Sequence, residues 1–427
     1  MCKKLSQKLA MIVFTLLQTV LVVNITHAAD WYPMQTGTEE DLLCVWGSSA
    51  TDVYAVGENN TIVHFDGIKW SLIENELSSE IDDLKAVWGF SANDVYVGGE
   101  GPILLNYNGL SWSKLTWECP EGISCGGNYS FDYIWGESPT DLFIVGWTGI
   151  TTIWHKFNHY DGEILTPIAS PYSEDYADYK FFDVYGLWGS SSTDVYLAAG
   201  SYYYGYIYHY DGEVCSLSYK TETENENNCF TDVWGSAADD VFVVGSSGRI
   251  YHYDGSTWSP MDSGTQENFF CVWGSSSSDV HAAGGLDTFF HYNGSIWEPM
   301  ERKPPVNMGR FGSIKDIWVS QDGKGFAVGG SGAVYVYGIP LTTTTTTTST
   351  GDCPSTEMYG EDSEEAELLR ELRDNVLAQT PEGREIIKLY YQWSPVIVKT
   401  MEEDEEFRAC AKEMIDGVLG LVAEGGK

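Results

Sequence analysis

Basic residues are scarce in this chain. Of 427 residues, 23 are Lys or Arg against 62 Asp or Glu, a formal net charge of −39. Such a surface repels phosphate backbones and anionic lipid, so nucleic acid and acidic membranes are excluded as partners. A well-solvated acidic surface, a salty milieu or a basic partner all fit it. Long apolar runs are missing beyond residues 9–23, so no later segment is expected to span a bilayer. No CxxC pair is present, which argues against a thiolate zinc site or thioredoxin-type chemistry. GxSxG, HExxH and phosphate-binding glycine loops are absent too, leaving no signature of a common hydrolase or nucleotide enzyme. The stretch Asp322-Gly323-Lys324-Gly325 is a turn, too short for an EF-hand loop. No metal or cofactor is therefore expected, and calcium has no supporting motif.

The start of the chain reads as a secretory signal over residues 1–28, with a retained, uncleaved anchor as the alternative. Lys3, Lys4 and Lys8 precede the apolar run, and Thr26-His27-Ala28 fits a small-residue cleavage site. No lipobox cysteine follows, which argues against a lipoprotein. Export places the remaining cysteines in an oxidising compartment. Cys119 and Cys125 flank a turn-rich stretch, Cys215 and Cys229 bracket a polar one, and Cys353 and Cys410 lie in the last segment. Each pair is a candidate disulfide. Cys44 and Cys271 occupy the same position of two non-neighbouring repeats and are expected to be buried free thiols.

What the chain has in abundance is tryptophan in a fixed setting. Trp46, Trp88, Trp135, Trp188, Trp234, Trp273 and Trp318 recur 39 to 53 residues apart. Six carry an aspartate six residues on: Asp52, Asp94, Asp141, Asp194, Asp240 and Asp279. One unit, FFCVWGSSSSDVHAAGGLDTFFHYNGSIWEPM, divides into four strand-like pieces bounded by turn formers. Tyr-Asp-Gly or Tyr-Asn-Gly supplies the left-handed residues of a tight hairpin, and the Ser-rich turn offers side-chain oxygens to free amides. Four short strands per period of about 45 residues, seven times over, is the pattern of a β-propeller. The seventh unit lacks its fourth strand, and Trp31-Tyr32-Pro33-Met34 matches the missing piece. The N-terminal strand is therefore predicted to complete the last blade beside residues 333–337, removing an exposed edge.

The units resemble the Trp-Gly-Ser-Ser…Asp-Val…Val-Gly…His-Tyr-Asp-Gly…Trp repeats of secreted bacterial propeller proteins over residues 31–338. That resemblance implies a fold and hardly an activity, since one fold hosts many functions.

Residues repeated in every blade point to packing. The tryptophans are expected to fill the blade junctions, and the six aspartates to bond amides of their turns. His64, His159, His209, His252 and His291 sit two before the turn Asp or Asn, on the third strand. They would be spread round a wide circle, beyond a metal's reach of about 2 Å, and are read as structural.

With strands named a to d in each blade, the a–b and c–d turns share one face and are nearly constant. The b–c and d–a loops share the other face and vary widely, and both loop staples, Cys119–Cys125 and Cys215–Cys229, are assigned to d–a loops there. Long, diverse loops on a rigid scaffold are where binding sits. Units three and four are richest, with Trp147, Trp154, Tyr172, Asp175, Tyr176, Asp178, Tyr179, Tyr202, Tyr203 and Tyr204. Aromatic rings flanked by carboxylates suit saccharide faces or peptides, and these ten residues form the candidate ligand site. A carboxylate pair for glycosidic acid/base chemistry is not singled out.

Residues 341–352 include LTTTTTTTST, a low-complexity linker. Beyond it the pattern turns helical. Asp362 with Glu365 makes a capping box, Leu368, Leu369, Leu372, Val376 and Leu377 have helical spacing, and Thr380-Pro381 and Ser394-Pro395 start further helices. The segment contains Cys353, Tyr359-Gly360, Leu369-Arg370-Glu371-Leu372-Arg373-Asp374, Gly383-Arg384 and Tyr390-Tyr391-Gln392-Trp393-Ser394-Pro395. These resemble the CFI-box C-terminal domain of secreted bacterial proteins. The chain departs from it after Cys353, where PSTEM replaces an apolar-and-small run. The C-terminal position in that family implies presentation or docking at a surface.

The sequence thus predicts an all-β, seven-bladed β-propeller of four-stranded blades with N-terminal strand closure over residues 29–340. A small α-helical C-terminal domain over residues 353–427 is expected to follow. The expected function is that of an exported, monomeric, non-catalytic binder or scaffold at the cell surface, outside the cell or in the periplasm. Its partner would be a glycan, a peptide or a cell-surface protein. An extracellular carbohydrate-active hydrolase or lyase and a structural envelope component are the alternatives.

Overall fold

The computed structural model describes residues 31–73, 82–101, 103–118, 130–148, 154–169, 183–201, 203–221, 228–285, 288–300 and 313–337. They fall within one compact unit, Asp30–Gly338. The expected signal, the Thr-rich linker, the helical C-terminal domain and the pairs Cys119–Cys125 and Cys353–Cys410 lie outside the described residues.

Seven four-stranded antiparallel sheets are present. Blade 1 is Leu42–Ser49, Asp52–Gly57, Thr61–Phe65 and Trp70–Leu72. Blades 2 to 6 repeat that order, starting at Leu84–Ser91, Tyr133–Ser138, Asp183–Ser191, Phe230–Ala237 and Phe269–Ser276. Blade 7 has Ile314–Val319, Gly325–Gly329 and Val334–Tyr337 from the end of the ring, and Trp31–Met34 from its beginning. Trp31 pairs with Tyr337 and Met34 with Val334, so the predicted closure is observed. Trp31 is fully buried, with ring centroids 4.9 Å from Phe289 and 5.3 Å from Tyr337. The first strand of each blade touches that of the next, and the seventh touches the first, which closes the ring around an axis.

The Trp-Gly pair has a packing reason. A Cβ on Gly89 would lie 2.6 Å from Trp46 of the preceding blade, and one on Gly189, Gly235 or Gly274 equally close to Trp135, Trp188 or Trp234. The missing side chain is the slot into which the neighbouring indole slides. At the seam the same contact joins Trp318 of blade 7 to Gly47 of blade 1. Blade 7 has Val319 after its tryptophan, so this slot is filled. Trp273 of blade 6 turns instead, donating from Nε1 to the Val319 carbonyl at 3.0 Å, and Trp88 of blade 2 turns likewise to the Gly136 carbonyl at 3.2 Å although blade 3 keeps the glycine. The Trp273 ring meets that of Trp88 at 6.3 Å. Blades 2 and 6 are not neighbours, so this indole pair reaches across the axis.

The turn chemistry separates into two roles. In the c–d hairpins, Oδ1 of Asp66, Asp161, Asp211 and Asp254 accepts two backbone N–H bonds each. The following glycine is left-handed, as at Gly67 with φ 89°. In the a–b turns it is serine that accepts an amide, as Ser49 from Thr51 and Ser191 from Thr193.

The six aspartates after the tryptophans do something other than bond turn amides, which corrects the expectation. Asp52, Asp141, Asp194 and Asp240 each hold the strand-c histidine of their own blade, Nε2 to Oδ1, at 2.6 Å, and Asp279 holds His291 at 2.7 Å. In blade 2 Asn106 takes the histidine's place at 3.0 Å from Asp94. Ser48 and Ser190 donate to the second carboxylate oxygen at 2.5 Å, and Ser236 and Ser275 make the same bond. A half-buried carboxylate at a strand end needs donors from both sides, and strands a and c supply them. Burial raises the Asp52, Asp194 and Asp240 carboxyls, yet the histidine and serine bonds outweigh it and hold them below the ordinary range.

Candidate functional site

The faces differ as their sequences do. On the constant face a Cβ on Gly67, Gly162 or Gly212 of a c–d turn would strike Thr51, Thr140 or Thr193 of the a–b turn, so the two turns lock together within each blade. On the diverse face the b–c and d–a loops are tied by backbone bonds: Glu58 to Asp41, Glu100 to Asp83 and Gly285 to Asn268, at 2.9 to 3.0 Å.

The diverse face of blades 3 and 4 collects residues that do not repeat. Trp147 and His155 are cross-strand partners at the loop end of blade 3. His155 is buried, with Nδ1 3.6 Å from Asp183 of blade 4. The Tyr185 hydroxyl reaches the other oxygen of Asp183 at 3.4 Å. The nearby imidazole, against partial burial, holds the Asp183 carboxyl low. Burial, then the Asp183 charge, pushes the Tyr185 phenol up. Next along the face Cys229 donates to the Ser201 carbonyl at 3.3 Å, and the Ser201 amide bonds the Tyr204 carbonyl. Lys220 lies 3.7 Å over the Tyr204 ring, and Tyr203 is 52 % exposed.

Of the ten predicted site residues, Trp147, Tyr203 and Tyr204 lie on this rim, and Trp154 opens the adjacent strand, paired with Thr148. Tyr172, Asp175, Tyr176, Asp178, Tyr179 and Tyr202 lie outside the described residues. His155, Asp183, Tyr185 and Lys220 were missed. Their signal was available, since no other unit has a carboxylate and a tyrosine five and three residues before its tryptophan.

The Cys215–Cys229 staple does not form, and both thiols are free. Cys215 begins the fourth strand, opposite Tyr210 and beside the c–d turn. Cys229 sits by Gly200 and Ser201 on the far face. The six-residue strand between the two faces spans about 20 Å at ~3.3 Å per residue, whereas bridged Cα atoms lie about 4.4–6.8 Å apart. Cys44 and Cys271 are free, as expected.

A second constellation lies in the first strands, two residues before each tryptophan. There the chain places Cys44, Ala86, Tyr133, Gly186, Asp232, Cys271 and Asp316. Asp232 accepts the Val233 amide of its own blade and the Val272 amide of blade 6, both at 2.8 Å. Asp316 likewise accepts Ile317 and, across the seam, Val45 at 2.8 Å. A β-bulge at this level of both receiving strands disrupts the regular ladder locally. Burial pushes Asp316 up to about 6 and Asp232 well above its usual range, Asp316's charge adding to the latter. Burial first, then Asp316, also raises the Cys44 and Cys271 thiols. Thiols held neutral are poor nucleophiles, so this cluster ties blades together rather than performing chemistry.

The repeated Ser, Asp and His do not make a hydrolytic triad. Serine and imidazole both bond the carboxylate, whereas catalysis needs the hydroxyl on the imidazole's other nitrogen. A pocket on blade 5 lined by Arg249, Tyr251, Met261 and Gln266 has a volume of about 190 Å³, below the roughly 300–1,000 Å³ of typical small-molecule sites.

No protein-family model matches the chain, and no curated protein matches it. Solved structures do. The WD40 β-propeller domain of Doa1 is 11% identical, covers 73% of this chain and 97% of its own, and superposes with a TM-score of 0.55. YCF48 bound to D1 peptide is 17% identical over 73% of this chain and 96% of that one, TM-score 0.53. The extracellular domain of BT4673 from B. thetaiotaomicron is 11% identical over 72% of this chain and 40% of that one, TM-score 0.54. At these identities the likeness is one of fold: the chain folds as a seven-bladed β-propeller. Among the described residues no helix is long and apolar enough to cross a membrane.

Proposed function

We propose that the chain is an exported binding module, without catalytic function, that holds a peptide or saccharide of a surface partner on its diverse face at blades 3 and 4. One observation carries the reading. The constant face repeats one set of turn bonds from blade to blade, whereas the diverse face gathers His155, Asp183, Tyr185, Tyr203, Tyr204 and Lys220 in an arrangement found in no other blade among the described residues. Rigid aromatic rings beside charged groups give contact area at low entropic cost. A propeller of the same architecture, YCF48, has been solved with a peptide bound, which supports peptide as the first class to try. The Thr-rich stretch and the C-terminal segment would then present the propeller at a surface.

The test is to probe peptide and glycan arrays with the full chain. Retained ligands should bind at least tenfold more weakly to Trp147→Ala and Tyr203→Ala. Leu110→Ala, at an exposed c–d turn on the other face, should bind as the wild type does. Absence of any ligand on both arrays, or equal losses from both faces, would overturn the proposal.

A further inference from the structure

Blade 6 breaks the repeat at one buried position. Two residues after the conserved aspartate, the other blades have Tyr54, Tyr96, Phe143, Tyr196 and Phe242, and blade 7 has Phe326 at the same register. These rings pack in the junctions, and four of them lie against the strand-c histidine, as Phe242 does on His252 at 4.5 Å. Blade 6 has His281 there instead, 1% exposed. An aromatic slot gains nothing in packing from imidazole, which is smaller and more costly to desolvate. Nδ1 of His281 is buried with no hydrogen-bond partner, a condition that calls for an explanation.

The other nitrogen faces two polar side chains. His281 Nε2 lies 3.2 Å from Asp279 Oδ1, and His291 Nε2 lies 2.7 Å from the same oxygen. All three donor atoms are within 4.8 Å of one another. Ser275 binds the second oxygen of Asp279, orienting the first toward both imidazoles as an outer partner does in metal sites. Blades 1, 3, 4 and 5 have the aspartate and one histidine, which is two ligands. Only blade 6 reaches three among the described residues.

We propose that Asp279, His281 and His291 form a binding site for a divalent transition metal of the zinc type. Two imidazoles and one carboxylate are ligands that zinc, copper and nickel accept. Metal–ligand bonds of about 2.0–2.2 Å place cis ligands roughly 3 Å apart, and the two separations from Asp279 Oδ1, 3.2 and 2.7 Å, lie close to that. The site is reached from one side. His281 forms its buried wall beside Trp31 and Tyr337, at ring distances of 6.0 and 4.6 Å. The side chains of Asp279 and His291 are 27% and 23% exposed, which leaves a coordination position for water or a partner's ligand. Because the buried wall touches Trp31, metal binding also tightens the clasp that shuts the ring.

The repeat supplies its own conservative variants. His281→Phe copies blade 5, and His291→Asn copies Asn106 of blade 2, so each replacement already packs elsewhere in this fold. The full chain, stripped with EDTA, is titrated with Zn²⁺ by calorimetry in 150 mM NaCl with excess Mg²⁺, which occupies oxygen-only sites on the acidic surface. Co²⁺ is added separately to read its visible absorption. One equivalent of Zn²⁺ should bind, the melting temperature should rise with it, and nitrogen-ligated Co²⁺ bands should appear. His281→Phe should weaken Zn²⁺ at least 100-fold and abolish the bands, and His291→Asn should do the same. No saturable Zn²⁺ binding by the wild type overturns the proposal, and so does binding that either folded variant retains.

Discussion

The seam between blades 7 and 1 offers a sharp test of the packing argument. A Cβ added at Gly47 would stand 2.7 Å from Trp318 Cη2, 2.8 Å from its Cζ3 and 3.0 Å from Val53 Cγ2. Carbon atoms prefer about 3.5–4.0 Å, so the indole must retreat by nearly 1 Å. It has little room to do so, being 6% exposed and stacked on Phe326 with centroids 6.4 Å apart. Overfilling a packed core costs about 1–3 kcal/mol. For a domain of this size that lowers the melting temperature by roughly 2–5 °C. Thermal melts of Gly47→Ala should show the drop, while Gly285→Ala, whose nearest neighbours stand 3.8 Å off, should melt close to the wild type. The decisive measurement is the double mutant. In a Trp318→Leu background the added methyl meets no indole, so its cost should shrink by most of its value, a coupling expected for groups in contact. An equal cost in both backgrounds would refute the idea that the tryptophan occupies the glycine's slot.

Three further outcomes follow. Trp31→Ala empties a fully buried site and should destabilise by about 3–5 kcal/mol, read by urea unfolding; a change under 1 kcal/mol would mean that the closing strand does not clasp the ring. Asp316 has its carboxyl raised to about 6 in the folded chain, so its contribution is full below the unfolded value of about 3.9 and is lost as pH rises through 6, a difference of roughly 3 kcal/mol. Asp316→Asn should therefore flatten the stability profile between pH 4 and 7, and an unchanged slope would contradict the assignment. Denatured, unreduced protein treated with iodoacetamide should yield Cys215 and Cys229 each alkylated on peptide mapping, whereas a peptide joining them through sulfur would show the strand to be misplaced.

Much of the site logic was legible once the repeats were aligned. Positions that recur are packing and turn chemistry, and positions that vary within the constant frame mark the proposed sites. That rule names Trp147, Tyr203 and Tyr204 as candidates, and it could have named His155, Asp183, Tyr185 and His281. The rule failed where a residue's partner lies in another strand. Asp52 reads as a turn residue because it follows Ser-Ser-Ala-Thr, yet its carboxylate is spoken for by His64 of strand c. Cys215 and Cys229 read as ends of one loop, but a strand separates them, because periodicity gives element boundaries only to within a few residues.

By itself the sequence determined the number of blades, the four strands of each and the borrowed strand that shuts the ring. Each depends on short-range patterning, alternation and turn formers, that the chain repeats until chance is excluded. It also determined which face is constant and which diverse, because antiparallel strands put alternate loops on opposite sides. Only the tertiary structure decided which tryptophans fill a neighbour's glycine slot and which turn to the axis: Trp273 faces Val319, yet Trp88 turns too although blade 3 keeps Gly136. It alone brought Asp232 and Asp316 onto amides of other blades, and it alone gathered Asp279, His281 and His291 about one point. The Asp232 and Asp316 bonds join groups distant in the chain, and their geometry exists only when the ring is closed; the Asp279 cluster forms within one blade, through the cross-strand register of His281 and His291.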